Sequence, residues 1–99
     1  MLLLKRMADL VHEHSVTIQT PKGATYTART YAEPQRDGTW QGWIEFRPLD
    51  GRGGTLRTDR ETTQPTREAV AYWASGLQPV YFEGAFERAY TAWPERSLA

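Results

Sequence analysis

From Val16 onward apolar and polar positions alternate with a period of two: Val16, Ile18 and Thr20 fall on one side, Thr17 and Gln19 on the other, as in a half-buried strand. Pro21-Lys22-Gly23 then fits a three-residue hairpin loop, with glycine where a positive φ is wanted. Pairing across that loop sets Thr20 opposite Ala24, Ile18 opposite Tyr26 and Val16 opposite Ala28. A second turn, Pro34-Gln35-Arg36-Asp37-Gly38, predicts pairing of Ala32 with Trp40, Thr30 with Gly42, Ala28 with Ile44 and Tyr26 with Phe46. Beyond the Gly-rich connection 48–53, a strand over 54–58 brings Leu56 to Phe46. The apolar sides coincide at all three turns, and since a one-residue slip would reverse them, the even-numbered positions are assigned to the core.

The period changes in the second half. Residues 59–64 are polar and read as an extended linker. Pro65 suits the first turn of a helix capped near Thr63 or Gln64, with Val70, Trp73, Ala74 and Leu77 as its apolar stripe and Gly76 as its stop. Pro79 opens a second helix that carries Phe82, Ala85, Phe86, Ala89, Tyr90 and Trp93 at spacings of three and four and turns Glu83, Glu87 and Arg88 outward; Pro94 follows its end. Residues 1–13 have a loose helical pattern without a cap and are read as a short helix or a frayed extension. The expectation is an α+β domain over 14–94, an antiparallel four-stranded meander followed by two short C-terminal helices packed on one face, with a tail at 95–99.

Composition modifies this picture in three ways. With 99 residues there is room for one core, and four Trp and five Tyr supply apolar area that the sparse aliphatic residues do not. Twelve basic and twelve acidic side chains cancel, which argues against a partner held by global charge, such as bulk nucleic acid or an anionic membrane. The absence of cysteine removes disulfides and thiolate chemistry and is compatible with a reducing cytoplasm. Met1-Leu2-Leu3-Leu4-Lys5-Arg6 places charge after a short apolar run, the reverse of a signal peptide, and no stretch approaches the ~20 apolar residues of a membrane span. Neither export nor membrane insertion is expected.

The odd-numbered face of the sheet carries the most informative side chains: Thr27, Arg29, Tyr31, Gln41, Trp43, Glu45, Arg47, Thr55 and Arg57. The expected register sets Arg29 across from Trp43, Tyr31 from Gln41 and Glu45 from Arg57. Aromatic and arginine side chains on one sheet face hold single-stranded nucleic acid in several folds, and Trp, Tyr and Arg are also the commonest anchors of protein interfaces. The same residues make ordinary cross-strand pairs, a cation–π contact and a surface ion pair. A helix lying over this face is a further arrangement the sequence allows.

Other features carry less chemistry. Arg47, Arg52 and Arg60 are candidate phosphate contacts within the Arg-rich segment 47–67, but Leu49-Asp50-Gly51-Arg52-Gly53-Gly54 lacks the Gly-Lys-Ser/Thr ending of a phosphate-binding loop. His12 and His14 would point to one side of a strand, as two metal ligands do, without a third ligand nearby. Glu83 and Glu87 stand one helical turn apart with no partner for acid–base work, and no serine has a nucleophile setting. No catalytic residue, cofactor or metal is expected.

The strings Asp37-Gly38-Thr39-Trp40-Gln41-Gly42-Trp43-Ile44-Glu45-Phe46, Leu56 to Pro65 and Ala71 to Tyr81 resemble a group of short uncharacterised bacterial proteins, a likeness that spans roughly 16–92 and implies no activity. More distantly, a strand meander leading through threonines into Thr66-Arg67-Glu68-Ala69 is similar to HicB-like antitoxin domains, whose helix begins Thr-x-x-Glu-Ala; that resemblance implies a partner protein. The functional expectation is a non-enzymatic cytoplasmic binding module that uses Arg29, Tyr31, Trp43, Glu45 and Arg57 to engage a protein or its own copy. Single-stranded nucleic-acid binding through the same face and segment 47–67 is the alternative.

Overall fold

The computed structural model describes the backbone of residues 8–98 and side chains through residue 92. The expectations for residues 1–7 and for the Trp93 side chain lie outside the described residues. An antiparallel sheet of β1 (Asp9–Gln19), β2 (Thr25–Pro34), β3 (Trp40–Pro48), β4 (Leu56–Arg57) and β5 (Thr62–Gln64) is followed by helices α1 (Arg67–Ser75) and α2 (Pro79–Leu98). The strand order is β1-β2-β3-β4, with β5 also paired to β3. The α+β class, the meander and the two C-terminal helices are therefore as expected.

The assignment of faces holds, while several pairings within it change. At the β1–β2 turn, Thr20 donates to the Ala24 carbonyl at 2.8 Å and Gly23 to the Thr20 carbonyl at 2.9 Å, and Ile18 faces Tyr26. The β2–β3 turn repeats this geometry: Gln35 donates to the Thr39 carbonyl at 2.8 Å and Gly38, at φ 90°, to the Gln35 carbonyl at 3.1 Å. Its loop is thus Arg36-Asp37-Gly38, one residue further along than the expected centre. The Asp37 carboxylate clamps it, accepting the Thr39 hydroxyl at 2.6 Å and the Thr39 N–H at 2.9 Å, and these bonds hold its pKa below the ordinary value. Each pair on β2–β3 consequently moves by two residues, so that Ala32 faces Gly42, Thr30 faces Ile44, Ala28 faces Phe46, Arg29 faces Glu45 and Tyr31 faces Trp43. A shift of two conserves the face of every side chain.

Strand β1 departs further from the expectation. It begins at Asp9, so 9–13 is strand rather than helix or frayed extension, and it contains two bulges. Three residues, His14, Ser15 and Val16, stand against Ala28 alone, which replaces the expected Val16–Ala28 pair. Val11 is a single extra residue between the Leu10–Tyr31 and His12–Thr30 pairs, and it reverses parity, turning Leu10 to the outer face and Asp9 toward α1, where Arg67 binds it at 2.9 Å.

The polar stretch after β4 is not a linker. Its Thr62, Thr63 and Gln64 pair with Gly42, Gln41 and Trp40 and complete the edge that β4 starts. Between the two, Thr58 keeps the ladder intact across the irregularity: its N–H donates to the Ile44 carbonyl at 2.9 Å and its buried hydroxyl accepts the Ile44 N–H at 3.0 Å. Because 62–64 is held as strand, α1 starts later than the proline suggests. Thr66 is its cap, accepting the Ala69 N–H at 3.0 Å, and Pro65 precedes the helix.

Both helices put their buried residues against the even-numbered face. Ala28, Ile44, Phe46 and Leu56 pack with Phe82, Ala85 and Ala89 of α2, and Val70 and Ala74 of α1 are buried as well. Small and large residues complement each other: α2 offers alanines to Ile44 and Phe46, and the sheet offers Ala32 and Gly42 where α1 approaches. Helix α2 has 20 residues and is not short; its backbone continues past Pro94, which lacks the N–H that would bond to the Tyr90 carbonyl. Tyr90 itself is exposed and stacks on Phe86 instead of entering the core. Glu61 clips α2 to the β4–β5 connection, with the Tyr81 hydroxyl and the Arg88 guanidinium both donating to one carboxylate oxygen. Burial first, and then the bond to Glu61, pushes the Tyr81 pKa up.

Gly42 is required by packing. A Cβ there would lie 2.7 Å from Val70 Cγ1 and 3.0 Å from Thr62 Cγ2. Gly42→Ala should lower the unfolding free energy by about 1–3 kcal/mol through overpacking, and Val70→Ala in the same chain should recover part of the loss relative to the sum of the single effects. Urea unfolding of the four variants checks this, and additive losses would disprove the contact.

Candidate functional site

The odd-numbered face lies opposite both helices, and its side chains form rows across the strands. One row is charged: Glu13 faces Arg29, Arg29 faces Glu45, and Glu45 faces Arg57. Its signs alternate from β1 to β4. Arg29 stands 3.9 Å from Glu13, and Glu45 accepts from Arg47, two positions along its own strand, at 2.7 Å. The Glu45 hydrogen bond and charge raise the Arg47 pKa above its ordinary value, with smaller contributions from the Tyr31 phenol. Such exposed pairs are each worth about 0–1 kcal/mol, so they order the face more than they stabilise the fold.

The adjacent row is apolar. Leu10 faces Tyr31 and Tyr31 faces Trp43. The Tyr31 and Trp43 rings are nearly parallel, at 17° with centroids 6.3 Å apart, and the Arg57 guanidinium lies 4.2 Å from the Trp43 ring centroid. The expected cation–π contact therefore exists with a different cation, Arg57 instead of Arg29, because the two-residue change of pairing puts Glu45 opposite Arg29. Tyr31 and Arg57 stand beside Trp43 from the strands on either side, and Trp43 is 6 % exposed. What the row presents outward is a strip of Tyr31, the rim of Trp43 and the Arg57 guanidinium.

Arg29, Tyr31, Trp43, Glu45 and Arg57 are thus brought together as one surface. Arg47 joins them through Glu45, whereas Arg52 sits in the turn after β3, its N–H bonded to Asp50 at 2.9 Å, and Arg60 is exposed between β4 and β5. Among the described residues no contact gathers Arg47, Arg52 and Arg60 around a common point. A nucleic-acid base needs an open ring face on which to stack, and one face of Trp43 carries the Arg57 guanidinium. Leu10 and Glu13 belong to the surface but were not expected there. The exposed Glu13 between the inward His12 and His14 is the one sign of strand in that segment, and the bulge that turns Leu10 outward has no sequence signal.

On the other side of β1, a cleft of about 280 Å³ opens toward the α1–α2 corner, lined by His12, His14, Ser15, Ala74, Leu77 and Phe82 among others. The two imidazoles share one side as expected, with centroids 4.6 Å apart, and His14 packs on Phe82 and bonds the buried Thr30 hydroxyl at 2.7 Å. Among the described residues no group of three His, Cys, Asp or Glu is placed to hold a metal. Nor, among the described residues, is any helix long and apolar enough to cross a membrane. Comparison with family models, curated proteins and solved structures gives no match.

Burial, and secondarily the nearby His12, lower the His14 pKa from 6.5 to about 4. In the unfolded chain His14 takes its proton first, so its contribution to stability is complete above pH 6.5 and is lost as the pH falls toward 4. An NMR titration of the His14 ring should give a midpoint near 4 in the folded protein; a midpoint at 6 or above would show that the ring is not buried against Phe82.

Proposed function

We propose that this chain is a small, non-enzymatic, cytoplasmic binding module whose outer sheet face docks on a protein surface. The observation that carries the reading is the strip formed by Tyr31, Trp43 and Arg57 on a face that both helices leave open. These three residue types dominate binding energy at protein interfaces. Their mutual stacking also fixes the side chains before any partner arrives, which reduces the ordering cost of association. The charged row beside the strip is internally matched, so covering it leaves no lone charge without an opposite neighbour.

A cation–π contact adds about 0.5–1 kcal/mol at an exposed site and about 2 when water is excluded, so the Arg57–Trp43 pair gains strength when a partner covers it. Tyr31 is the anchor to remove, since it stands on the open face while Trp43 also supports the sheet. The tagged chain, in an extract of its own cells, should elute at a mass above its 11.3 kDa monomer. Tyr31→Ala and Arg57→Ala should each weaken the complex by about 2 kcal/mol, roughly thirtyfold in Kd, with the melting transition still cooperative. Elution of the unmodified chain as a monomer, or a complex indifferent to both substitutions, would remove the proposal.

A further inference from the structure

We propose that the occupant of the outer face is a second copy of this chain, bound about a two-fold axis that runs parallel to the strands between β2 and β3. This rests on the reading of the face as a docking surface and names its partner. The charged row reads Glu13, Arg29, Glu45, Arg57 in spatial order, acidic, basic, acidic, basic. A row of even length with alternating signs is complementary to its own reverse. The two-fold axis supplies that reverse: it lays Arg29 of one copy over Glu45 of the other, and Glu13 over Arg57. All four positions meet the opposite sign. The same operation brings Tyr31 of each copy over the Trp43 rim of the other, so the apolar strips coincide without a change of register.

Three further features favour this arrangement. The net charge of the chain is zero, so two copies approach without long-range repulsion. The edges of the sheet are poor sites for joining copies, because β1 is bulged at Val11 and at 14–16 and the opposite edge is interrupted between β4 and β5, breaking the regular spacing that an added strand requires. The face also has the extent of a modest interface: four strands span about 19 Å and the nine residues of β3 about 30 Å, a flat footprint of about 570 Å² before side-chain relief, against the ~800 Å² per partner of a standard interface. Two twisted sheets pack at about 30° to each other, which separates the outer pairs of the row more than the central ones. Arg29 and Glu45, next to the axis, therefore carry the specificity.

The test is a charge exchange read by light scattering. The purified wild-type chain should pass from 11.3 kDa to twice that mass as concentration rises. Arg29→Glu and Glu45→Arg each put like charges together at the centre of a self-pair, and each should dimerise about a hundredfold more weakly or worse. Mixed in equal amounts, the two variants are complementary at every position of the row and should form a one-to-one dimer close to wild-type affinity. If either variant melts without cooperativity, Arg29→Gln and Glu45→Gln replace the pair, and both should weaken self-association. Wild-type protein that stays monomeric, single variants that dimerise as wild type, or a mixture that fails to recover would each overturn the proposal. A wild-type monomer that still forms a Tyr31-dependent complex in cell extract would overturn only the second copy as occupant and leave the docking face standing.

Discussion

Everything in this fold is arranged around β3, which is hydrogen-bonded on both sides and covered by the helices on one face. Ile44 and Phe46 lie under α2, Gly42 lets Val70 of α1 reach the backbone, and Trp43 on the reverse stands beside Tyr31 and Arg57. The period of two makes these roles inseparable: once the even positions of β3 are committed to the helices, the odd positions must form the outer face. The irregular edge at 58–61 serves the same constraint, since Thr58 supplies by side chain the acceptor that this edge would otherwise deny to Ile44.

The outer face is internally ordered. Its charges are neutralised along and across the strands, and its aromatic rings are held by a cation and by each other instead of standing free. A surface of this kind suits a preorganised partner better than a splayed nucleic acid, because nothing in it has to open before contact is made. The cleft beside His14 has a different character: its imidazole is kept neutral by burial and spends its polar atom on Thr30, a packing role within the core layer.

Much of this was legible in the chain. Parity was correct at all three turns because hydrophobic alternation reports the face, and Arg29, Tyr31, Trp43, Glu45 and Arg57 do lie on one face of the sheet, with Trp43 buried there. The individual partners were not legible, since the β2–β3 loop is defined by the Asp37 bonds to Thr39 and not by the visible cluster Pro34 to Gly38. Bulges leave no periodic trace, which hid β1 before Val16 and with it Leu10 and Glu13. Strand β5 was hidden for another reason: Thr62-Thr63-Gln64 is polar, and only the ladder of β3 makes it a strand. Propensity likewise misplaced the start of α1, which the pairing of 62–64 with β3 sets back, and the end of α2, whose backbone runs past Pro94.

The most direct measurement uses the absence of cysteine from the chain. Thr27→Cys and Ala28→Cys place a thiol at neighbouring positions on opposite faces, and their reaction rates with a thiol reagent can be followed across protein concentration. The expected result is that Ala28→Cys is protected until unfolding, while Thr27→Cys reacts readily in dilute protein and slows as association covers it. A Thr27→Cys thiol that is protected at every dilution, or an Ala28→Cys thiol that reacts as fast, would contradict an open docking face behind a helix-covered one.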